Sequence, residues 1–184
     1  SEEVPKDYLD QIKFLLKKSK VVALGEIGLD YFKNISDKKI QKNIFREQLE
    51  LAQEINVPIV FHNRDSDKDI LDTLSKFPDV IGVAHCFSSS YEVAKKLIDM
   101  GFYISFSGNL TFKNSHLPDV AKKLPLNKIL VETDSPFLSP VPHRGKVNEP
   151  GRTRFVAELL AKLHGSTINQ IASITTNNAT NLFN

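Results

Sequence analysis

The chain has 184 residues, 41% of them hydrophobic and 25% charged, with a formal net charge of +2 at pH 7. That is enough apolar material for the core of a soluble globular domain, and no window approaches the roughly 18 to 20 apolar residues of a membrane helix. The mild charge excludes a protein that holds nucleic acid by bulk electrostatics, so any nucleic-acid function must come from a site.

The opening Ser1-Glu2-Glu3-Val4-Pro5-Lys6 has no basic segment leading into an apolar one, so no secretion signal is expected. The single cysteine, Cys86, cannot form an internal disulfide, which fits a reducing compartment and a cytoplasmic or nuclear setting. Residues 4–18 predict a helix with Tyr8, Ile12, Leu15 and Leu16 on one face. Five apolar runs rich in Val and Ile come next, at residues 21–25, 58–62, 81–86, 102–106 and 129–131. They are continuous rather than alternating, as in parallel strands buried on both faces.

Between these runs the spacing turns helical, as in Ile44, Phe45, Leu49, Leu51, Ala52 and Ile55, or Val93, Ala94, Leu97 and Ile98. After the last run a Pro-rich loop, residues 135–150, leads into two helices near 152–163 and 168–183. Strand centres about 20 to 35 residues apart give a βα unit repeated five times. The expectation is one α/β domain over residues 1–184.

In parallel α/β folds a ligand site forms beyond the carboxyl ends of the strands. Those ends carry Gly25-Glu26-Ile27-Gly28-Leu29-Asp30, His62-Asn63-Arg64, His85-Cys86-Phe87, Ser105-Phe106-Ser107-Gly108 and Glu132-Thr133-Asp134. Singly, a His there is more often a hydrogen-bonded structural residue, and an acid can cap the next helix. Strands of a barrel, however, aim their carboxyl ends at a common opening, which would gather Glu26, His62, His85 and Asp134.

Two imidazoles and two carboxylates suit Zn²⁺ or Mn²⁺, and Mg²⁺ less well. In this reading Glu26 bridges two ions, and Asp134 binds one while accepting a proton from the attacking water. Arg64 and Arg144 offer guanidinium forks for a phosphate, although charge alone would equally make Arg144 and Lys146 part of a solvated loop. His116 and His143 read as loop residues. Cys86, next to His85 within a strand, should point the opposite way, into the core. The spacing of Gly25, Gly28 and Gly108 is not that of a dinucleotide fingerprint.

The segment Ala23-Leu24-Gly25-Glu26-Ile27-Gly28-Leu29-Asp30-Tyr31-Phe32 resembles the signature of TatD-type metal-dependent deoxyribonucleases. The resemblance continues in order through Arg46 to Ala52, Pro58 to Arg64, His85-Cys86-Phe87-Ser88, Ser105 to Gly108, Glu132-Thr133-Asp134-Ser135-Pro136, Arg144 to Pro150, and Asn178-Ala179 through Phe183. It implies a TIM-type (β/α)8 barrel of the amidohydrolase superfamily, a divalent metal centre (Mg, Mn or Zn, two ions in the intact protein) and hydrolysis of phosphodiester bonds in DNA, often exonucleolytic. Glu26, His62, His85 and Asp134 fall on the family's metal-ligand positions, and Arg64, Glu132 and Arg144 on positions near the site. Ser89 stands where the family commonly has Gly.

The family also opens with a strand bearing His-x-His, and no His-x-His occurs in this sequence. The strand of Glu26 would then be the fourth of eight, with three βα units of roughly 70 to 80 residues lying outside the chain. A missing N-terminal segment or another chain would complete the barrel. Two other readings stay open: a metal-dependent amidohydrolase acting on a small molecule, which has no need of two arginines, and a truncated, catalytically impaired barrel serving as a binding or assembly module.

Overall fold

The structure, a computed structural model, describes residues 4–33 and 35–184. The chain forms two compact units, residues 1–83 with 182–184, and residues 84–181.

In the first unit, helix α1 (Tyr8–Leu16) precedes strand β1 (Leu24–Asp30), helix α2 (Lys38–Ile55), strand β2 (Ile59–Arg64), helix α3 (Asp67–Leu74) and strand β3 (Gly82–Ala84), which ends at the division. The strands lie in the order β1-β2-β3. The helical spacing read from the sequence is borne out in α2, where Phe45, Leu49, Leu51 and Ala52 are buried. Asp37 caps its start by accepting from Lys39 N–H, and Asn56 ends it in the left-handed region. By contrast, α1 buries none of its side chains, and Phe14 and Leu15 are more than half exposed.

Strands β1 and β2 run parallel, with Ile27 opposite Phe61, Gly28 opposite His62 and Asp30 opposite Arg64. Leu24, Ile27, Leu29, Ile59 and Phe61 are buried, and the register shifts between Leu24 and Ile27. This corrects the first strand read from the sequence. The strand begins at Leu24 and continues to Asp30, so Glu26 lies within it rather than beyond its end. The apolar run alone placed the boundary too early, because the strand's later half alternates apolar and polar.

At Gly28 the two strands approach so closely that an added Cβ would lie 2.1 Å from the His62 carbonyl oxygen, and φ is +127°. Only glycine meets both conditions without strain.

The second unit holds helix α4 (Tyr91–Asp99), strand β4 (Tyr103–Phe106), helix α5 (Leu117–Ala121), strand β5 (Ile129–Val131), and helices α6 (Thr153–Leu163) and α7 (Ile168–Phe183), with short 3-10 turns between. Strands β4 and β5 pair in parallel, Ile104 to Phe106 opposite Ile129 to Val131. Ile104, Ser105 and Phe106 are all buried, as continuous apolar strands covered on both faces require. Val93, Ala94 and Leu97 of α4 and Val156, Ala157, Leu160 and Ala161 of α6 supply the helical side of the core. Asn178 of α7 donates to the carbonyls of Leu126 and Ile129, both at 2.8 Å, and so ties the closing helix to the start of β5. Among the described residues no helix is long and apolar enough to cross a membrane.

Replacing Gly28 with Ala should cost about 2 to 4 kcal/mol of stability, read as a lowered urea midpoint. Gly151→Ala, where an added Cβ meets nothing within 4 Å, should leave the midpoint close to that of the parent chain.

Candidate metal centre

In the first unit, the alternation along β1 puts Glu26, Gly28 and Asp30 on one side of the strand, and the register sets His62 beside Gly28. With no side chain at Gly28, the imidazole reaches both flanking acids. His62 Nδ1 lies 3.6 Å from Glu26 Oε1, and His62 Nε2 lies 3.3 Å from Asp30 Oδ2. Asp30 Oδ1 accepts from the N–H groups of Phe32 at 3.0 Å and Lys33 at 3.1 Å. Burial pushes the Asp30 carboxyl up, but the Lys33 N–H, the charge of His62, the Phe32 N–H and the charge of Arg64 outweigh it and hold it below the usual carboxylate range.

Arg64 ends β2, its guanidinium 3.8 Å above the exposed ring of Phe32. A cavity of about 470 Å³ opens here, lined by Glu26, Asp30 and His62 together with Lys33, Ile44 and Gln48.

In the second unit, β3 stops at Ala84, and His85 and Cys86 form a turn beyond it. His85 Nδ1 lies 3.4 Å from Glu132 Oε1 and 4.0 Å from Asp134 Oδ1. Glu132 Oε1 also accepts the Cys86 N–H at 2.6 Å, so one carboxylate ties the turn to the end of β5.

Cys86 does not point into the core as the strand alternation implied. Its φ is +44°, its Sγ lies 3.1 Å from Ser107 Oγ, and Asn109 Nδ2 lies 3.7 Å away. The alternation rule fails because the strand has already ended. Burial raises the thiol's pKa well above its ordinary value, and Asp134 and Glu132 push the same way against the Ser107 hydrogen bond.

The Pro-rich loop is held by the buried Asn148, whose Nδ2 donates to Thr133 Oγ1 at 3.2 Å and to the Phe137 carbonyl at 2.8 Å. Thr133 is the residue between Glu132 and Asp134, so this bond fastens the Arg144 loop to the same strand end. Arg144 itself is exposed, its guanidinium 3.7 Å above the Phe112 ring. The other two histidines read as loop residues do lie in such positions: His116 Nε2 is 3.1 Å from the Ser89 carbonyl, and the His143 ring packs edge-on to Phe155.

Each unit therefore brings its own candidates together, Glu26 with His62 in one and His85 with Asp134 and Glu132 in the other. Sequence reasoning assigned no role to Asp30 or Asn148. The signal for Asp30 was present, since it stands four residues after Glu26 on the same strand face. Asn148 carried no such signal, because its partners lie 11 and 15 residues away through a loop.

The donor sets fit a divalent ion. Ligands about 2.0 to 2.2 Å from a shared ion lie about 3 to 4 Å from one another, the spacing of His62 Nδ1 to Glu26 Oε1 and of His85 Nδ1 to Glu132 and Asp134. In the second unit one ligand atom from each of His85, Glu132 and Asp134 falls within 4.8 Å of the others.

A family model described as TatD related DNase matches residues 1–184. YabD of Bacillus subtilis, described as an uncharacterized metal-dependent hydrolase, is 48% identical over 184 residues, covering 98% of this chain and 72% of the relative. YcfH of Escherichia coli, described in the same words, is 46% identical over 178 residues, 95% of this chain and 67% of the relative. Among solved structures, the TatD homolog YjjV of Escherichia coli matches with a TM-score of 0.92 and 32% identity, over 99% of this chain and 72% of that one. A TatD family hydrolase of Entamoeba histolytica matches at 0.84 and 26%, over 97% and 69%. These likenesses place the α/β fold in the TIM-type barrel class, of whose eight βα units this chain carries five.

Because its thiolate is disfavoured by burial and by two carboxylates, Cys86 should alkylate with iodoacetamide at pH 8 at least about tenfold more slowly in the folded chain than in urea. Replacing Glu132 and Asp134 by their amides should speed the reaction.

Proposed function

We propose, from the premise that the chain belongs to the TatD family of metal-dependent hydrolases, that it hydrolyses phosphodiester bonds in DNA, exonucleolytically, at a divalent metal centre. The observation that carries this reading is that in each compact unit an imidazole at or just beyond the carboxyl end of a strand faces carboxylates within 4.0 Å. The family description as a DNase supports the choice of bond.

In this proposal Glu26 and His62 hold metal in the first unit, and His85 and Asp134 in the second. When bound, a divalent ion supplies a water of raised acidity and withdraws electron density from the phosphoryl oxygens. Asp134 takes the proton that the attacking water gives up. Asp30, on the ring nitrogen opposite Glu26, orients the His62 imidazole, as a carboxylate behind a metal-binding histidine does, while Glu132 faces the same His85 nitrogen as Asp134 and stands beside the ion's place. Arg64 and Arg144 each offer a substrate phosphate charge-assisted hydrogen bonds, and their stacking on Phe32 and Phe112 limits the freedom each guanidinium loses on binding. A small-molecule amidohydrolase would have no use for this pair of cations.

The test is metal content by elemental analysis, paired with degradation of labelled single-stranded DNA by the purified chain with Mn²⁺ or Mg²⁺. Cleavage should stop with EDTA. Glu26→Gln and Asp134→Asn should each lower kcat by about a hundredfold or more. Arg64→Ala and Arg144→Ala should instead raise KM about tenfold while changing kcat little, the mark of lost ground-state binding. Bound metal with hydrolysis of amide or ester substrates, indifferent to both arginines, would overturn the phosphodiester reading.

A further inference from the structure

At Asp30, the last residue of β1, a side chain takes up the backbone groups on the strand's outer edge. Among the described residues β1 pairs on one side only, with β2, and along a strand successive backbone groups point alternately to the two sides. Tyr31 N–H turns towards β2 and donates to the Arg64 carbonyl at 2.9 Å, so the N–H and C=O of Asp30 face the other way. Both are taken by one amide. Gln41 Oε1 accepts the Asp30 N–H at 2.9 Å, and Gln41 Nε2 donates to the Asp30 carbonyl at 3.1 Å and to the Ser36 carbonyl at 2.9 Å. Gln41 belongs to the first turn of α2, and it gives Asp30 the donor and acceptor that a neighbouring strand would give.

Asp30 is also the residue whose Oδ2 lies 3.3 Å from His62 Nε2, with Oδ1 occupied by two backbone N–H groups. Backbone and carboxylate are thus both fixed, and the imidazole is held from the side opposite Glu26. We propose that Gln41 is a positioning residue for the candidate metal ligands Glu26 and His62, acting through Asp30: its amide fixes the Asp30 backbone, and Asp30 fixes the His62 ring. The inference rests on reading Glu26 and His62 as metal ligands.

Gln41→Met keeps the length of the side chain and removes all three hydrogen bonds. In the metal-free chain, exchange of the Asp30 amide hydrogen should quicken by at least about tenfold. The ¹⁵N signals of the His62 ring should leave their parent positions, in the direction they take in Asp30→Asn. Combining the two changes should move the His62 signals no further than Asp30→Asn alone, because both act along one path. In Mn²⁺ titrations each single change should weaken binding by about tenfold, the lower end of what is lost with a residue supporting a metal ligand.

Unmoved His62 signals in folded Gln41→Met, or additive shifts in the double variant, would overturn the proposal and leave Gln41 as a loop fastener. Should Gln41→Met fail to fold, Gln41→Glu is read instead, since it keeps the acceptor for the Asp30 N–H and loses both donations. Failure of both to fold would equally overturn it. Mn²⁺ binding unchanged in His62→Ala would sink the ligand reading itself, and the metal-free spectra distinguish the two failures.

Discussion

The close approach of β1 and β2 at Gly28 is the constraint on which the Glu26, His62 and Asp30 cluster depends. A glycine there, with φ of +127° and the His62 carbonyl where a Cβ would be, leaves a gap in the row of side chains on one strand face. The His62 imidazole reaches across that gap, so Glu26 and Asp30 meet its two nitrogens from either side. A larger residue at 28 would push the strands apart and would break the centre and the strand pairing together.

The second unit solves the same problem with a turn. β3 is only three residues long, and the turn after it is held by the Glu132 carboxylate, which takes the Cys86 N–H and faces His85. Gly108 plays a part here comparable to that of Gly28, since a Cβ on it would lie 1.9 Å from the Leu138 carbonyl, and this lets the Pro-rich loop pass close to the turn after β4. In both units two carboxylates crowd one imidazole.

Beside the ladder bonds of the sheet, side chains satisfy several backbone groups around these residues. Gln41 completes the edge at Asp30, Ser66 donates to the Leu29 carbonyl, and Asn148 bridges Thr133 and the Phe137 carbonyl. Such bonds are modest singly, about 0.5 to 1.5 kcal/mol net, but costly to leave unmade once buried. They make the strand ends rigid where ligand geometry has to be exact to a few tenths of an ångström.

The amino-acid sequence by itself determined the five strands, the buried faces of α2 and α4, and the identities of Glu26, His62, His85 and Asp134 as candidates. Hydrophobic period and residue chemistry are local properties that survive in one dimension. Only the tertiary structure decided that Glu26 lies within its strand, that Cys86 turns towards Ser107 and the carboxylates, and that Gln41 bonds the Asp30 backbone and Asn148 bridges Thr133 and Phe137. Those facts depend on where a strand stops, on the register of its neighbour and on which loop crosses it, and each is settled by contacts between residues 11 to 46 positions apart. No periodicity records such contacts, because they are made by folding.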